Sequence, residues 1–342
     1  MVATSLFVGA RVNSPQRPIR VEPIVNFALP PATAGCGGAT VLAGGADRIP
    51  ITVSTVAGQV SEMVNVCIAG RGPYPFVLDS GAGESIIDRR LATQLRLARD
   101  GSPTEFGGVG CTGSAQPVGI TAWSVAGVTL APQEVTAATL PDFGGAGQPV
   151  GLLGSDVLSR FGAVRLDFTT QTLTFGGPEG PMPSDKAADV HGPTGPAPSA
   201  VLTQGEAGTT VPLTVVLTPG DVSLDVRARF GDGHANTFVV DTGSSQSVVA
   251  ESLVKSAHLA STNLAQRQPT VCSTITAPLV HSGRWSIPGV QLHPQLLGAV
   301  NFGPISLDGT AGLIGSDQLR RFGWVIFDYG GGRLVLGSNG QP

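Results

Sequence analysis

Short apolar runs rich in valine, threonine and leucine recur along the chain between glycine and proline residues. This pattern predicts short β-strands joined by turns. Residues 51–56 and 60–68 are two such runs on either side of Gly58, and we expect them to form a β-hairpin. A turn over residues 70–75 then leads into an apolar strand that ends at Asp79.

The second half of the chain opens in the same way. Residues 211–217 form one apolar run, Pro219 and Gly220 mark a turn, and residues 222–230 form the next run. Helical patterns are short and few. We predict two helices in each half, at residues 88–97, 155–161, 250–259 and 316–322. The predicted fold class is therefore all-β.

The two halves are related residue by residue. Residues 76–81, Phe-Val-Leu-Asp-Ser-Gly, recur at 238–243 as Phe-Val-Val-Asp-Thr-Gly, and an apolar-apolar-glycine tripeptide follows in both halves. Residues 151–168 and 312–329 are identical at eleven of eighteen positions. A repeat of about 130 residues is too long for a solenoid or propeller, so each copy is expected to form a lobe with its own core.

Composition divides the chain into four parts. Residues 1–46 are rich in proline, glycine and alanine without periodicity, and they predict an extended N-terminal arm. We assign residues 47–175 to the N-terminal lobe and residues 206–342 to the C-terminal lobe. Between them, residues 176–205 carry repeated Gly-Pro pairs typical of a semi-extended, solvated linker.

Charge and hydropathy argue against two classes of partner. The chain of 342 residues has 13% charged residues and a net charge of −4, which does not suit a nucleic-acid surface. No apolar run is long enough to span a membrane, and the first ten residues lack the features of a signal peptide. The five histidines have no ligand spacing, so we expect no metal and no cofactor.

The four cysteines leave two alternatives open. Cys111 and Cys272 occupy equivalent positions of the repeat, and equivalent positions near a twofold axis can approach each other. They either form a disulfide or remain unpaired buried thiols. The same alternatives apply to Cys36 and Cys67.

The repeated aspartates carry the candidate chemistry. Asp79 and Asp241 each follow an apolar strand, and two carboxylates held close together share one proton, so that one acts as base and the other as acid towards a water molecule. A hydroxyl in each loop can cross-link the two loops, and a glycine lets the backbone approach the carboxylate. These supporting residues are Ser80 and Gly81 in the first loop and Thr242, Gly243 and Ser244 in the second.

The sequences Asp-Ser-Gly-Ala at 79–82 and Asp-Thr-Gly-Ser at 241–244, each with its later apolar-apolar-glycine, resemble the active-site loops of pepsin-like and retropepsin-like aspartic proteases. The resemblance covers residues 47–337 and implies a bilobal fold of two β-barrel-like lobes with a cleft between them. It further implies a polypeptide substrate, inhibition by pepstatin-type compounds and, since one chain holds both aspartates, a monomer. The tandem layout and the glycine- and alanine-rich composition are also similar to the protease domain of mycobacterial PE-PGRS surface proteins, which implies secretion or a cell-surface location.

The chain departs from the pepsin pattern in its flap, the hairpin that covers the cleft. Its two tyrosines, Tyr74 and Tyr329, are not placed to serve as the flap tyrosine. We expect the flap at residues 106–114, of the retropepsin type, and a second flap at residues 271–277. The substrate-facing positions of the first flap are Gly107, Gly108, Val109 and Gly110.

Differences between the copies suggest unequal roles. Ala82 stands where the second loop has Ser244, so we expect Asp241 to be the more acidic partner and Asp79 to carry the shared proton. Other repeated residues are given structural roles: Asp156 and Asp317 as helix N-caps, and Trp123 and Trp285 as anchors of the lobe cores.

The predicted function is an aspartic endopeptidase that prefers acidic pH, because a carboxylate pair with one proton is its working form. The alternative is a non-catalytic peptide-binding module that keeps the fold, for which the missing flap tyrosine is the hint. A subsidiary hypothesis places the arm in or near the cleft as a pro-segment, with Arg11, Arg17, Arg20 and the adjacent Arg48 pairing with the carboxylates.

Overall fold

The computed structural model describes residues 36, 40–41, 47–56, 59–141, 148–177, 179–180, 190–191, 207–218, 221–302 and 309–338. Most of the arm, including Arg11, Arg17 and Arg20, and most of the linker lie outside these residues, as does the predicted turn at Pro219 and Gly220. The described chain is mainly β, which confirms the predicted fold class.

Within the described residues, the strands before the linker are β1 (Thr40–Val41), β2 (Asp47–Pro50), β3 (Thr52–Val56), β4 (Gln59–Ile68), β5 (Arg71–Leu78), β6 (Ile86–Asp88), β7 (Ala98–Arg99), β8 (Thr104–Gly108), β9 (Cys111–Ile120), β10 (Trp123–Val125), β11 (Val128–Leu130), β12 (Gln133–Ala138), β13 (Gly151–Leu153), β14 (Ala163–Asp167) and β15 (Thr172–Phe175). The strands of the linker and the second half are β16 (Val190–His191), β17 (Gly208–Pro212), β18 (Thr214–Thr218), β19 (Asp221–Phe230), β20 (Ala235–Val240), β21 (Val248–Ala250), β22 (Ser261–Pro269), β23 (Thr274–His281), β24 (Trp285–Ile287), β25 (Val290–Leu292), β26 (Leu296–Val300), β27 (Gly312–Ile314), β28 (Trp324–Asp328) and β29 (Arg333–Gly337).

Each half builds one sheet of eleven strands, and the two sheets have equivalent strand orders. The order β4-β5-β13-β6-β12-β9 in the first sheet corresponds to β19-β20-β27-β21-β26-β23 in the second. In each sheet the strand that leads to the aspartate pairs in parallel with the strand of the apolar-apolar-glycine signature, β5 with β13 and β20 with β27. The two repeated signatures are therefore hydrogen-bonded neighbours.

The glycine that opens each of these second signatures has a packing reason. A Cβ on Gly151 would lie 2.2 Å from the ring of Phe76, and a Cβ on Gly312 would lie 2.3 Å from the ring of Phe238. Atoms that are not bonded to each other cannot approach so closely, so only glycine fits beside these two buried rings.

A third sheet, of seven strands, joins the two halves. Its order is β1-β2-β15-β14-β28-β29-β17, and its central pair, β14 with β28, is antiparallel and contributed by one strand from each half. The strand pattern of neither half predicts this shared sheet. Arg48 lies in β2 of this sheet, not in the lining of the interlobe cavity described below.

The four helices are where the sequence predicts them, and they are shorter. They are α1 (Arg89–Leu95), α2 (Ser155–Leu158), α3 (Glu251–Ser256) and α4 (Ser316–Leu319), with α2 and α4 continuing as 3-10 turns at Ser159–Phe161 and Arg320–Phe322. Asp88 caps α1 by accepting a hydrogen bond from Arg90 N, and Arg96 ends it in a left-handed conformation. No helix among the described residues has both the length and the apolarity needed to cross a membrane.

Two details of the strand prediction are wrong. The turn expected over residues 70–75 is confined to Ala69 and Gly70, and β5 continues through Pro73 and Pro75. Prolines are tolerated there because β13 pairs only with the last residues of β5, from Phe76 onwards. The single run at 211–217 is broken at Leu213 because its first part pairs with β29 and its second part with β19, in different sheets.

The beginning of the predicted linker packs on the first lobe. Glu179 forms a salt bridge of 3.0 Å with Arg160, whose side chain is 7% exposed, and also accepts a hydrogen bond from Ala131 N. Gly180 N donates to Arg160 O at 2.8 Å. A buried guanidinium without a carboxylate partner costs free energy. The ion pair with Arg160 therefore holds the segment around Glu179 against the first lobe.

Trp123 and Trp285 are buried in their lobes, as predicted, and each donates its indole hydrogen to a backbone carbonyl eight positions later, Ala131 O and His293 O. Trp285 also stacks on Phe230 with ring centroids 5.6 Å apart. Both cysteine pairs are disulfides, Cys36–Cys67 and Cys111–Cys272, so the alternative of unpaired thiols is wrong.

Candidate active site

Asp79 and Asp241 stand where β5 and β20 end, each held by the neighbouring parallel strand. Asp79 N donates to Leu153 O and Asp241 N donates to Ile314 O, both at 3.0 Å. Since the two sheets are equivalent, the structure brings the two aspartates together at the centre of the molecule, where both line one cavity.

A symmetric network cross-links the two loops, as the sequence analysis predicts for Ser80 and Thr242. Ser80 Oγ donates to Val240 O and Thr242 Oγ1 donates to Leu78 O, each at 2.8 Å. Each hydroxyl also accepts from the backbone of the other loop, Thr242 N at 3.1 Å and Ser80 N at 3.0 Å. Every hydrogen bond of the set crosses between the lobes, so the separation of the two aspartates is fixed by both.

The loop glycines allow each carboxylate to approach the opposite loop. A Cβ on Gly81 would lie 2.3 Å from Cγ of Asp241, and a Cβ on Gly243 would lie 2.2 Å from Cγ of Asp79. Any side chain at these positions would push the carboxylates apart.

The two carboxyl groups hydrogen-bond to each other, and their surroundings are unequal. Asp79 Oδ1 accepts from Gly81 N at 3.1 Å and from Ala82 N at 2.9 Å, whereas Asp241 Oδ1 accepts from Ser244 N at 3.0 Å. Burial raises the pKa of both groups, and the charge of Asp79 raises the pKa of Asp241 further. The pKa of Asp241 is thus raised more than that of Asp79, which favours Asp241 as the group that holds the shared proton.

This order of pKa values is opposite to the sequence-based expectation that Asp241 is the more acidic partner. Ser244 Oγ donates to Gln246 O at 2.6 Å, so its hydroxyl is turned away from Asp241 and leaves that carboxylate without the expected support. Asp241 is also the more buried of the two, at 9% exposure. Desolvation favours the neutral form of Asp241. The rotamer of Ser244, which leaves Asp241 without a side-chain hydrogen bond, has no signal in the sequence.

A second layer of hydroxyls supports the loops and was missed by the sequence analysis. Ser155 Oγ donates to Ser80 O at 2.9 Å and shares a hydrogen bond of 3.0 Å with the hydroxyl of Tyr329. Ser316 Oγ occupies the equivalent place and lies within hydrogen-bond distance of Thr242 O at 3.1 Å and of Glu62 at 3.0 Å. The available signal was the repeated Gly-Ser-Asp that begins α2 and α4.

The N-cap role assigned to Asp156 and Asp317 is wrong. The cap positions are the extended glycines before these helices, Gly154 and Gly315, and neither helix has a side-chain cap. The aspartates instead accept hydrogen bonds of 2.7 Å from the hydroxyls of Ser85 and Ser247. They hold the ends of the two loops, because each serine lies six positions after the aspartate of its loop, Asp79 or Asp241.

The aspartate pair opens into a cavity of 460 Å³ between the lobes. The first-lobe wall is largely apolar, with Met63, Val77, Ile86, Phe106 and Leu152 in one buried cluster. Four charged side chains also line the cavity: Glu84, Glu105, Glu134 and Arg267.

Two hairpins cover the cavity, at the positions predicted for the flaps. The first flap is the β8–β9 hairpin, and its residues Gly107, Gly108 and Val109 line the cavity. Gly110, which the sequence predicts to face the substrate, is not part of the cavity lining, because it lies at the turn with φ +67°, beside Ile275 of the other hairpin. The second flap is the β22–β23 hairpin, which contributes Pro269, Thr270, Val271 and Thr274 to the lining.

Both tyrosines lie away from the flaps. Tyr74 is buried in β5 and Tyr329 is buried against Ser155, and neither lines the cavity. Within the described residues no group of three or more histidine, cysteine, aspartate or glutamate side chains could hold a metal ion.

Comparison with known proteins identifies a family and similar solved structures. A family model described as "Aspartyl protease" matches the chain twice, over residues 64–157 and 226–317. Among solved structures, the chain is similar to the crystal structure of aspartic proteinase from Irpex lacteus, with 14% sequence identity, coverage of 85% of this chain and 97% of that chain, and a TM-score of 0.47. No curated protein matches the sequence.

Proposed function

Because the chain belongs to the aspartyl protease family, its two matched repeats each carrying one of the paired aspartates, we propose that it is an active endopeptidase that cleaves polypeptides in the interlobe cavity. The observation that carries the proposal is the aspartate pair itself, cross-linked by Ser80 and Thr242 and open to a covered cavity. A peptide-binding module would need the cavity but would have no use for a buried carboxylate pair that shares one proton.

In the proposed reaction Asp79 begins as the carboxylate and Asp241 as the acid. Asp79 takes a proton from a water between them, the water oxygen bonds to the amide carbon, and Asp241 gives its proton to the carbonyl oxygen. The proton on Asp79 then passes to the amide nitrogen, the C–N bond breaks, and one hydroxyl of the tetrahedral intermediate returns its proton to Asp241. The products are a carboxylic acid and an amine, and the pair again holds one proton.

The walls of the cavity support a preference for an apolar side chain next to the cleaved bond, bound on the first-lobe side. Met63, Val77 and Phe106 present a buried apolar face there. The glutamates at the rim and Arg267 are suited to select charge at more distant substrate positions.

Digestion of a mixed peptide library at several pH values tests the function directly. We expect cleavage in the unsubstituted protein, inhibition by pepstatin-type compounds, and a loss of at least about 10³-fold in Asp79→Asn and Asp241→Asn, because each role is essential to the pair. Asp232→Asn is the matched control, since its side chain is 97% exposed. Peptide binding without cleavage in the unsubstituted protein would favour the non-catalytic alternative.

We also propose that the protein acts as a monomer outside the cytoplasm, in a secreted or cell-surface location. Its two disulfides support this location because such bonds persist in oxidising compartments. Mass measurement by light scattering and thiol labelling of fractionated cells test the two parts. A dimer, or free thiols in the recovered protein, would contradict them.

A further inference from the structure

The Cys111–Cys272 disulfide joins the two flaps above the catalytic pair. Cys111 is the first residue of β9 and Cys272 lies in the turn between β22 and β23, so the bond connects the tips of the two hairpins. Their Cα atoms are 6.0 Å apart. The same cavity is bounded by the aspartates at its floor and by Gly108, Val109 and Val271 of the flaps at its roof.

The flap tips are also closely packed around this bond. A Cβ on Gly108 would lie 2.3 Å from Val271 and 3.4 Å from the sulfur of Cys272, and a Cβ on Gly113 would lie 3.3 Å from Cβ of Cys272. Cys111 Sγ and Thr270 Oγ1 are 3.0 Å apart. The glycines of the first flap thus let its backbone lie directly against the second flap, with the apolar side chains of Phe106 and Val271 between the two.

Contacts between the lobes close the floor of the cavity. The Ser80–Thr242 network and the antiparallel pair of β14 and β28 hold the two lobes together beneath the aspartates. The lobes, the two flaps and the disulfide therefore form a continuous ring around the catalytic pair. Non-covalent flaps can separate to admit substrate from above, but here the roof of the cavity cannot open without breaking an S–S bond.

We propose that the flap disulfide makes the cleft a closed tunnel and so selects the form of the substrate: a linear chain that enters by a free end. This inference rests on the proposed function and names its substrate class. An internal loop of a folded protein, or a cyclic peptide, must bring two strands side by side into the tunnel. Paired strands are about 4.7–4.9 Å apart before their side chains are counted, and a cavity of 460 Å³ bounded by flap residues favours one strand over two.

The test compares linear and cyclic peptides of the same composition. A pool of mixed decapeptides and the same pool closed head to tail are incubated with the protein, and cleavage is followed by mass spectrometry, since opening a ring adds one water. The variants are Cys111→Ser with Cys272→Ser, which removes the flap bond, and Cys36→Ser with Cys67→Ser, a matched control that removes the other disulfide. The ratio of linear to cyclic cleavage cancels changes in overall activity.

We expect the unsubstituted protein and the Cys36/Cys67 control to favour linear peptides by at least about tenfold, and the Cys111/Cys272 variant to lose most of that preference. Dithiothreitol should reproduce the variant, as the reagent is oxidised to its cyclic disulfide while the two cysteines become thiols. Equal ratios in all forms, or cyclic peptides cleaved as readily as linear ones by the disulfide-bonded protein, would overturn the inference.

A binding measurement separates this inference from the proposed function. Asp241→Asn is prepared with and without the two flap cysteines, and fluorescein-labelled linear and cyclic pools are compared by fluorescence anisotropy. We expect the flap bond to weaken binding of the cyclic pool selectively. If the unsubstituted chain binds linear peptides in preference to cyclic ones but does not cleave them, only the proposed function is contradicted. Equal binding of the two pools, or no binding of linear peptides, would contradict the inference.

Discussion

The hydroxyl of Ser244 is turned away from the carboxylate beside it, so it gives Asp241 no side-chain hydrogen bond. Since Ser244 Oγ donates to Gln246 O, the loop supports Asp241 through backbone N–H groups, those of Ser244 and Gly243. We expect Ser244→Ala to leave both limbs of the pH-rate profile in place, because the backbone hydrogen bond survives. A shift of the alkaline limb to higher pH in this variant would show that the hydroxyl reaches the carboxylate of Asp241 during catalysis.

The pKa values of the pair set where those limbs lie. Burial raises the pKa of Asp79, so the acid limb, where the carboxylate is lost, should lie above the ordinary aspartate value of about 3.9. The pKa of Asp241 is raised further by the charge of Asp79, so the alkaline limb should lie higher still. We expect a bell-shaped profile of kcat/KM that is displaced towards neutrality from the usual carboxyl range. An acid limb below about 3.9 would contradict this reading.

The sequence could predict the residues that act locally and could not predict those that act across the lobes. Asp79 and Asp241 with their glycines and hydroxyls form short repeated motifs. The residues of such a motif are adjacent in the chain, so the motif itself determines the conformation of the loop. Tyr329 lies 174 positions from Ser155 and Glu62 lies 254 positions from Ser316, and these contacts depend on how the two lobes are placed. No local pattern encodes that placement.

At the level of elements, the start of β4 and the 3-10 turn after α4 form an ion pair between the lobes. Glu62 of β4 is fully buried and pairs with Arg320, while it also bonds to Ser316 below the second loop. Burial raises the pKa of Glu62 although Arg320 opposes the shift, so the carboxylate depends on its partner to remain charged.

We expect Arg320→Met to lower the free energy of unfolding by about 3 kcal/mol near neutral pH, because it leaves a buried charge without its partner. The loss should shrink at acidic pH, where Glu62 becomes neutral. Arg284→Met is the matched control, since Arg284 and Asp232 form an exposed pair whose contribution is below about 1 kcal/mol. Urea unfolding at two pH values measures both. Equal losses in the two variants would mean that the buried pair has no special role.

The pattern of apolar and turn residues predicts which segments form helices and which form strands. It does not predict which strands pair with each other. The four helices and the strands that lead to the aspartates follow from apolar runs and turn residues. The break of the run 211–217 at Leu213 does not, since nothing in the run tells which half pairs with β29 and which with β19. The shared sheet could not be predicted for the same reason. In the sequence, β14 and β28 each resemble a strand near the end of a separate lobe, and nothing indicates that they pair with each other.

At the level of the whole molecule, Asp221 at the start of β19 lies against the first loop across the lobe boundary. A Cβ on Gly83 would lie 1.2 Å from its Oδ1, and Val222 N donates to Gly83 O at 3.3 Å. Burial, together with the charges of Glu84 and Asp156, raises the pKa of Asp221 to about 8. The lobes are thus packed around a neutral carboxyl group at neutral pH.

A carboxyl group whose pKa is raised by folding binds its proton more tightly in the folded chain. Its contribution to stability is fully present below the unfolded pKa of about 3.9 and is lost as pH rises through the folded value of about 8. We expect Asp221→Asn to reduce the fall in Tm between about pH 5 and pH 9 by a few degrees, since the amide cannot ionise. Thermal unfolding of this variant beside Asp232→Asn measures the difference. Parallel curves would show that Asp221 does not govern the pH dependence.

The pairing of β14 with β28 is symmetric about its own centre. Ala163 faces Asp328 and Asp167 faces Trp324, while Arg165 faces Ile326, its counterpart in the other copy. In an ancestor made of one repeat, this strand could have paired with itself between two separate chains, each supplying one aspartate. Such an enzyme would lose activity on dilution. Joining the copies gives the second half a fixed effective concentration, so the rate per chain of the present molecule should not depend on how many other copies surround it.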